Sequence, residues 1–124
     1  MMWLAVGLGG ALGSLARHAL TQVIQQRQIA GSFPLGIFLI NVLGSAAIGL
    51  LAGAIASGRL SMSDEARTFV MVGLLGGFTT FSAFSLDTLT LLRAGNIGAA
   101  VWNVAGQVGL SLVAAWAGYR VAGG

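Results

Sequence analysis

The chain has 124 residues, 56% hydrophobic and only 7% charged, with a mean hydropathy of +0.91; a soluble domain carries roughly 25% charged residues, so this protein belongs in a membrane. Its net charge of +3 comes from six scattered arginines against three acidic residues, a pattern that argues against a nucleic-acid partner. The lack of cysteine excludes a disulfide, a thiol nucleophile or a Cys-ligated metal, while 20 glycines and a single proline fit closely packed apolar helices.

At about 20 residues per span, the sequence predicts one domain of four transmembrane helices. The first runs from about Met2 to Ile24. Trp3 opens it as an interfacial residue, and Ala5, Gly9 and Gly13 recur every fourth position as a packing face. No signal peptide is expected, because no basic segment precedes this run and no cleavage site stands out after it. Arg17 and His18 fall in its last third. An arginine there either snorkels to the interface or lines an aqueous vestibule that concentrates anions. His18 is expected at the interface, and a lone histidine makes no metal site. A polar loop, Gln25 to Ser32, follows.

The second helix starts at Pro34, a good first-turn residue, and ends near Ser57. Ser45, Gly49 and Gly53 repeat the small-residue spacing. Asn41 is its only strong polar group; it either bonds a neighbouring helix or lines a pore.

Ser63 caps the third helix, with Asp64 and Glu65 at its positive end. The apolar segment Ala66 to Leu92 is long for a straight span and carries Gly76-Gly-Phe-Thr-Thr-Phe-Ser82 in its middle. Two adjacent glycines each cost about 1 kcal/mol against alanine in a helix, so a break at Gly76–Thr79 is expected, with a restart just beyond. An unwound segment in lipid must be buried or line a cavity. Its free carbonyls can hold a cation, and the restarted helix offers N–H groups to an anion. Phe81 and Phe84, three apart, share a helical face just past the break. They are either lipid-facing or core residues, or rings whose positive edges replace water around a small anion without a trapping charge. Asp87 on the restarted helix is a proton carrier or, preferably, a hydrogen-bonded group. Arg93 and Gly95 end the helix.

The fourth helix spans about Asn96 to Arg120. Asn103, Gln107 and Ser111 form a polar stripe at spacing four, either a hydrogen-bond seam or, preferably, a wetted track. Trp102, Trp116 and Tyr119 are interfacial anchors. Arg59, Arg67 and Arg120 fall on one side of the membrane and Arg27 and Arg93 on the other, with Arg17 near the latter. That balance gives no decisive orientation, so the chain is expected to insert both ways.

At these residues the chain resembles the Fluc (CrcB) family of small fluoride channels over nearly its whole length. The matching motifs are Gly9-Gly-Ala-Leu-Gly-Ser-Leu-Ala-Arg17, Pro34-Leu-Gly, Asn41-Val-Leu-Gly44, Gly76-Gly-Phe-Thr-Thr-Phe-Ser82 and Asn103-Val, with Gln107 and Ser111 in register. The third-helix motif is the most specific. Phe78, Ala83, Asp87 and Gln107 stand where Leu, Thr, Glu and Asn are usual. The resemblance implies an antiparallel, dual-topology homodimer in the cell (inner) membrane, with two fluoride pores. It also implies a structural sodium ion at the dimer centre, held by the main-chain carbonyls of Gly76 and Thr79. Pore roles carry over to Phe81, Phe84 and Asn41. The expected function is passive fluoride export without enzymatic chemistry: Arg17 attracts the anion at the mouth, Asn41 and the ring edges replace water, and Asn103, Gln107 and Ser111 hand it onward. Two rivals are a small multidrug-type antiporter, which needs a membrane carboxylate that the first two helices lack, and a structural subunit of a larger membrane complex.

Overall fold

The computed structural model describes residues 1–124 and is helical throughout. Four rods follow one another: α1 (Met2–Gln26), α2 (Leu35–Ala56), a broken third rod, and α5 (Ile97–Val121). The third rod consists of α3 (64–78) and α4 (Phe81–Arg93). Its start is the expected cap: Ser63 Oγ accepts from the Ala66 N–H at 3.2 Å, with Asp64 and Glu65 in the first turn. Asn96 caps α5 in the same way through the Ala99 N–H at 3.2 Å. Pro34 sits just outside α2, at its N-cap, rather than in the first turn. The turn after the third rod uses Gly95 at φ +77°, a left-handed conformation that favours glycine.

The rods pack as two intimate pairs, α1 on α3 and α2 on α5. Small residues explain both. A Cβ on Gly9 would come within 2.5 Å of the Phe69 carbonyl, and Gly13 lies directly against the Leu74 carbonyl. On the other pair, Gly49 faces the Ala115 backbone and Gly53 that of Tyr119. Backbone meets backbone, as in membrane helix pairs that gain dispersion rather than hydrophobic energy from contact.

The break is displaced from its expected place. Gly76 and Gly77 do not unwind: both are helical, Gly76 at φ −63° and ψ −36°. The extended residues are Thr79 (φ −83°, ψ 159°) and Thr80 (φ −156°, ψ 127°). Gly77 serves the helix contact, since a Cβ on it would sit 2.5 Å from the Gly10 carbonyl, whereas Gly76 has no neighbour closer than 3.9 Å. Propensity disfavours glycine in a helix, but tertiary contact overrides it. Upstream, Thr68–Leu75 forms a π-helix, the stretch that lies against Gly9 and Gly13. Such wide turns are rare and concentrate near functional sites.

Only 14 of 124 residues are buried, and large apolar side chains line the outside, Trp3, Trp102 and Trp116 among them. So thin a core with so apolar a surface needs lipid as solvent. The rods α2, the whole third rod (Asp64–Arg93) and α5 are long and apolar enough to cross a membrane. At 25 residues α1 is as long as α5, but Arg17, His18 and its terminal glutamines dilute it.

Candidate functional site

The break builds the site. Where a helix stops, its end groups need partners, and side chains from three rods supply them. Asn41 of α2 clasps Thr80: its Oδ1 accepts the Thr80 N–H at 2.9 Å, and its Nδ2 donates to the Thr80 carbonyl at 3.0 Å. Thr80 Oγ1 caps α4 by accepting from the Ala83 N–H at 3.2 Å. Thr79 Oγ1 turns back to donate to the Leu75 carbonyl at 3.0 Å, and its methyl group presses on Gly44.

These caps release two carbonyls. In an unbroken helix, Thr80 N–H would serve the Gly76 carbonyl and Ala83 N–H that of Thr79. The first is diverted to Asn41 and the second to the Thr80 hydroxyl. The Thr79 carbonyl accepts instead from Arg17 Nη1 at 3.1 Å. Arg17 is therefore tied to the break.

From Asn41 a chain of amides runs along α5. Asn41 Nδ2 donates to Gln107 Oε1 (2.7 Å), Gln107 Nε2 to Asn103 Oδ1 (2.8 Å), and Asn103 Nδ2 to Thr88 Oγ1 (3.0 Å). Thr88 Oγ1 in turn donates a hydrogen bond to the Phe84 carbonyl at 2.8 Å. Asn103 is fully buried and Gln107 nearly so. The stripe thus divides in two. Its Asn103–Gln107 half is a hydrogen-bond seam, whereas Gln107 and Ser111 also border a cavity.

That cavity, of about 460 Å³, lies between α2, the third rod and α5. Asn41, Phe81, Phe84, Gln107 and Ser111 all line it, with Gly76 and Thr79 at one wall and no charged side chain anywhere. Asn103 and Arg17 do not border it. The Ser111 hydroxyl is buried without a partner. The two rings lie 5.3 Å apart, tilted by 49°, within the range of favourable edge-to-face geometry. Phe84 is buried, but Phe81 is 77% exposed although its ring packs on that of Phe84.

Asp87 lies elsewhere, in a second cavity of about 300 Å³ with Gln25, Gln28, Ser32 and Thr90. Its Oδ2 is buried with no hydrogen-bond partner, unlike the bonded group expected. Two site residues escaped sequence reasoning. Thr80 stood only as one letter of the third-rod motif, although both of its backbone groups anchor Asn41. Thr88 ends the amide chain, yet no periodicity marks it, because its partner is 15 residues away on another rod.

A family model described as "CrcB-like protein, Camphor Resistance (CrcB)" matches residues 4–119. Among curated relatives, the chain is 48% identical over 124 residues to a protein of Opitutus terrae named fluoride-specific ion channel FluC, covering 99% of this chain and 93% of that one. It is 50% identical over 118 residues to the protein of that name from Paramagnetospirillum magneticum, covering 94% and 91%. A Thermus thermophilus protein of the same name is 47% identical over 121 residues, covering 98% and 94%.

Proposed function

The chain belongs to the CrcB family, and on that footing we propose that it is a membrane channel through which fluoride leaves the cytoplasm passively. The observation that carries the proposal is the uncharged cavity in which Asn41, Phe81, Phe84, Gln107 and Ser111 meet. Fluoride must shed tightly held water to enter a protein. Hydroxyl and amide donors with aromatic edges can replace that water, and the absence of a fixed positive charge on the wall lets the ion leave again. A multidrug-type antiporter would need a carboxylate in this space, and Asp87 lines the other cavity.

We propose further that two copies associate antiparallel in the inner membrane. Support comes from the near-even placement of arginines at the two ends and from Phe81, whose exposed ring leaves one side of the cavity for a second copy to close. A sodium ion at the centre of that pair is part of the same reading. Gly76 and Thr79 fit it: their carbonyls are among those that lose a helical N–H partner at the break, and a hard cation takes oxygen ligands. The ion would supply positive charge that ties the two breaks together. Arg17 already places a guanidinium on one of these oxygens, so it bears on the break and its cation rather than on the mouth.

The test is efflux from liposomes containing the purified protein, with fluoride and chloride compared in parallel. Fluoride should flow and chloride should not; equal fluxes, or no fluoride flux, would sink the proposal.

A further inference from the structure

We infer that Thr88 is a positioning residue of the fluoride path: through Asn103 it fixes the rotation of α4, and so the place of the Phe84 ring in the cavity wall. The inference rests on the fluoride reading above.

The helix that carries both rings is thinly held. Of the other helices, α4 packs only on α5 and α2. Phe84, Thr88 and Leu91 stand at spacings that share one helical face. Phe84 and Leu91 are buried and Thr88 is half-buried, while Phe81, Leu86, Leu89 and Leu92 are exposed. Apolar side chains select one rotation of a membrane helix only weakly, because lipid tails are as apolar as a protein partner. A polar contact then carries the selection. A single hydrogen bond joins α4 to α5, from Asn103 Nδ2 to Thr88 Oγ1 at 3.0 Å.

Both sides of that bond are fixed. Asn103 is fully buried, and its oxygen accepts from Gln107. Thr88 Oγ1 donates to the Phe84 carbonyl at 2.8 Å. One hydroxyl therefore connects an immobile amide on α5 to the backbone of the residue that bears the buried ring. At the other end of this stretch, Asn41 grips the backbone of Thr80. Thr88 lies eight residues on, about 12 Å at 1.5 Å per residue. A rod held at two points neither swings nor turns, and Phe84 lies midway between them. Held at Thr80 alone, α4 is free to rotate. A turn of about 20° carries a side-chain tip, about 5 Å from the axis, through about 2 Å, and a gap of about 1 Å already forfeits up to about half of a van der Waals contact. The ring pair, 5.3 Å apart and tilted by 49°, would not keep its edge geometry through such a shift.

The experiment compares Thr88→Val, which keeps the shape and loses the hydroxyl, with Thr88→Ser, which keeps the hydroxyl. Two readouts are taken on the full-length protein: fluoride efflux from liposomes, and 13C-phenylalanine ring resonances in detergent without fluoride, with Phe84 assigned through Phe84→Ile. Thr88→Val should move the Phe84 resonances and slow efflux roughly 2- to 10-fold, the worth of one aromatic contact. Thr88→Ser should leave both as in the unaltered protein. Unmoved Phe84 resonances in Thr88→Val, or a serine variant that behaves like the valine one, would overturn this inference alone. Absent fluoride flux in the unaltered protein would overturn the fluoride reading, and the role of Thr88 in the path with it. Valine also strands the buried Asn103 amide, so a loss of stability would imitate a loss of positioning. The double variant Thr88→Val/Asn103→Leu removes both partners of the bond, a change nearly neutral for stability. Gln107 loses one partner in it but keeps Asn41 and borders the cavity. Phe84 should stay displaced and efflux slow in the double variant. Resonances and efflux restored to those of the unaltered protein would show that valine acted by stranding the amide, and would overturn the positioning role.

Discussion

Gly76 and Gly77 are neighbours of one chemistry, yet the structure gives them opposite fates on substitution by alanine. At Gly77 the new methyl group would stand 2.5 Å from the Gly10 carbonyl and 3.0 Å from its Cα. Both obstacles are backbone, so α1 and α3 must separate. Overpacking of this kind costs about 1–3 kcal/mol, and alanine returns about 1 kcal/mol of helix propensity. Since a rigid helix has to move, the cost should sit at the upper end, for a net loss of about 1–2 kcal/mol. At Gly76 the nearest atom is the Met71 carbonyl at 3.9 Å, an ordinary contact, and the methyl projects where the cavity has room. There the propensity gain stands alone, and Gly76→Ala should be neutral or up to about 1 kcal/mol more stable. The two variants should differ by roughly 1–3 kcal/mol, measurable as a separation of denaturation midpoints followed by tryptophan fluorescence in detergent. Equal midpoints, or a less stable Gly76→Ala, would refute the reading of Gly77 as the contact residue of the pair and of Gly76 as a position with room for a methyl group.

Three further outcomes are expected. Thr80→Val keeps shape but loses the cap on the Ala83 N–H, and should cost about 1 kcal/mol of stability with faster exchange at Ala83. Phe81→Ile and Phe84→Ile should each slow fluoride efflux by roughly 2- to 10-fold, the worth of one aromatic contact, without loss of assembly on size-exclusion chromatography; wild-type rates in both would remove the rings from the mechanism. Arg17→Met frees the Thr79 carbonyl and removes a neighbouring positive charge, so stabilisation by sodium should set in at lower sodium concentration; a requirement for more sodium would show that the guanidinium supports the cation site.

Hydropathy and end signals made the four rods legible, and the caps at Ser63 and the stop at Gly95 were readable from local chemistry alone. The small-residue spacing of Gly9 and Gly13, and of Gly49 and Gly53, announced close contacts but not which rod answers which. That pairing decides the rest. Gly77 is helical because Gly10 lies against it, and a local propensity scale contains no Gly10. The π-helix at Thr68–Leu75 escaped for the same reason, since its residues are ordinary helix formers. In the site, Asn41, Phe81, Phe84, Gln107 and Ser111 were visible as polar or aromatic exceptions on apolar faces. Their hydrogen-bond economy was not visible, because it depends on where Thr80 turns its backbone.

Glycine supplies 8 of the 14 buried residues, at positions 9, 13, 36, 44, 49, 53, 73 and 118. A core of leucines can drift, since each loss of a methyl group elsewhere can be answered by a gain nearby. A core made of missing side chains has nothing smaller to step to, and at a contact such as Gly9 against the Phe69 carbonyl the first step upward already collides. Its tolerance is therefore coarse-grained: the outward leucines, valines and isoleucines are free to interchange in the lipid, while the interior changes by a whole methyl group at a time or not at all.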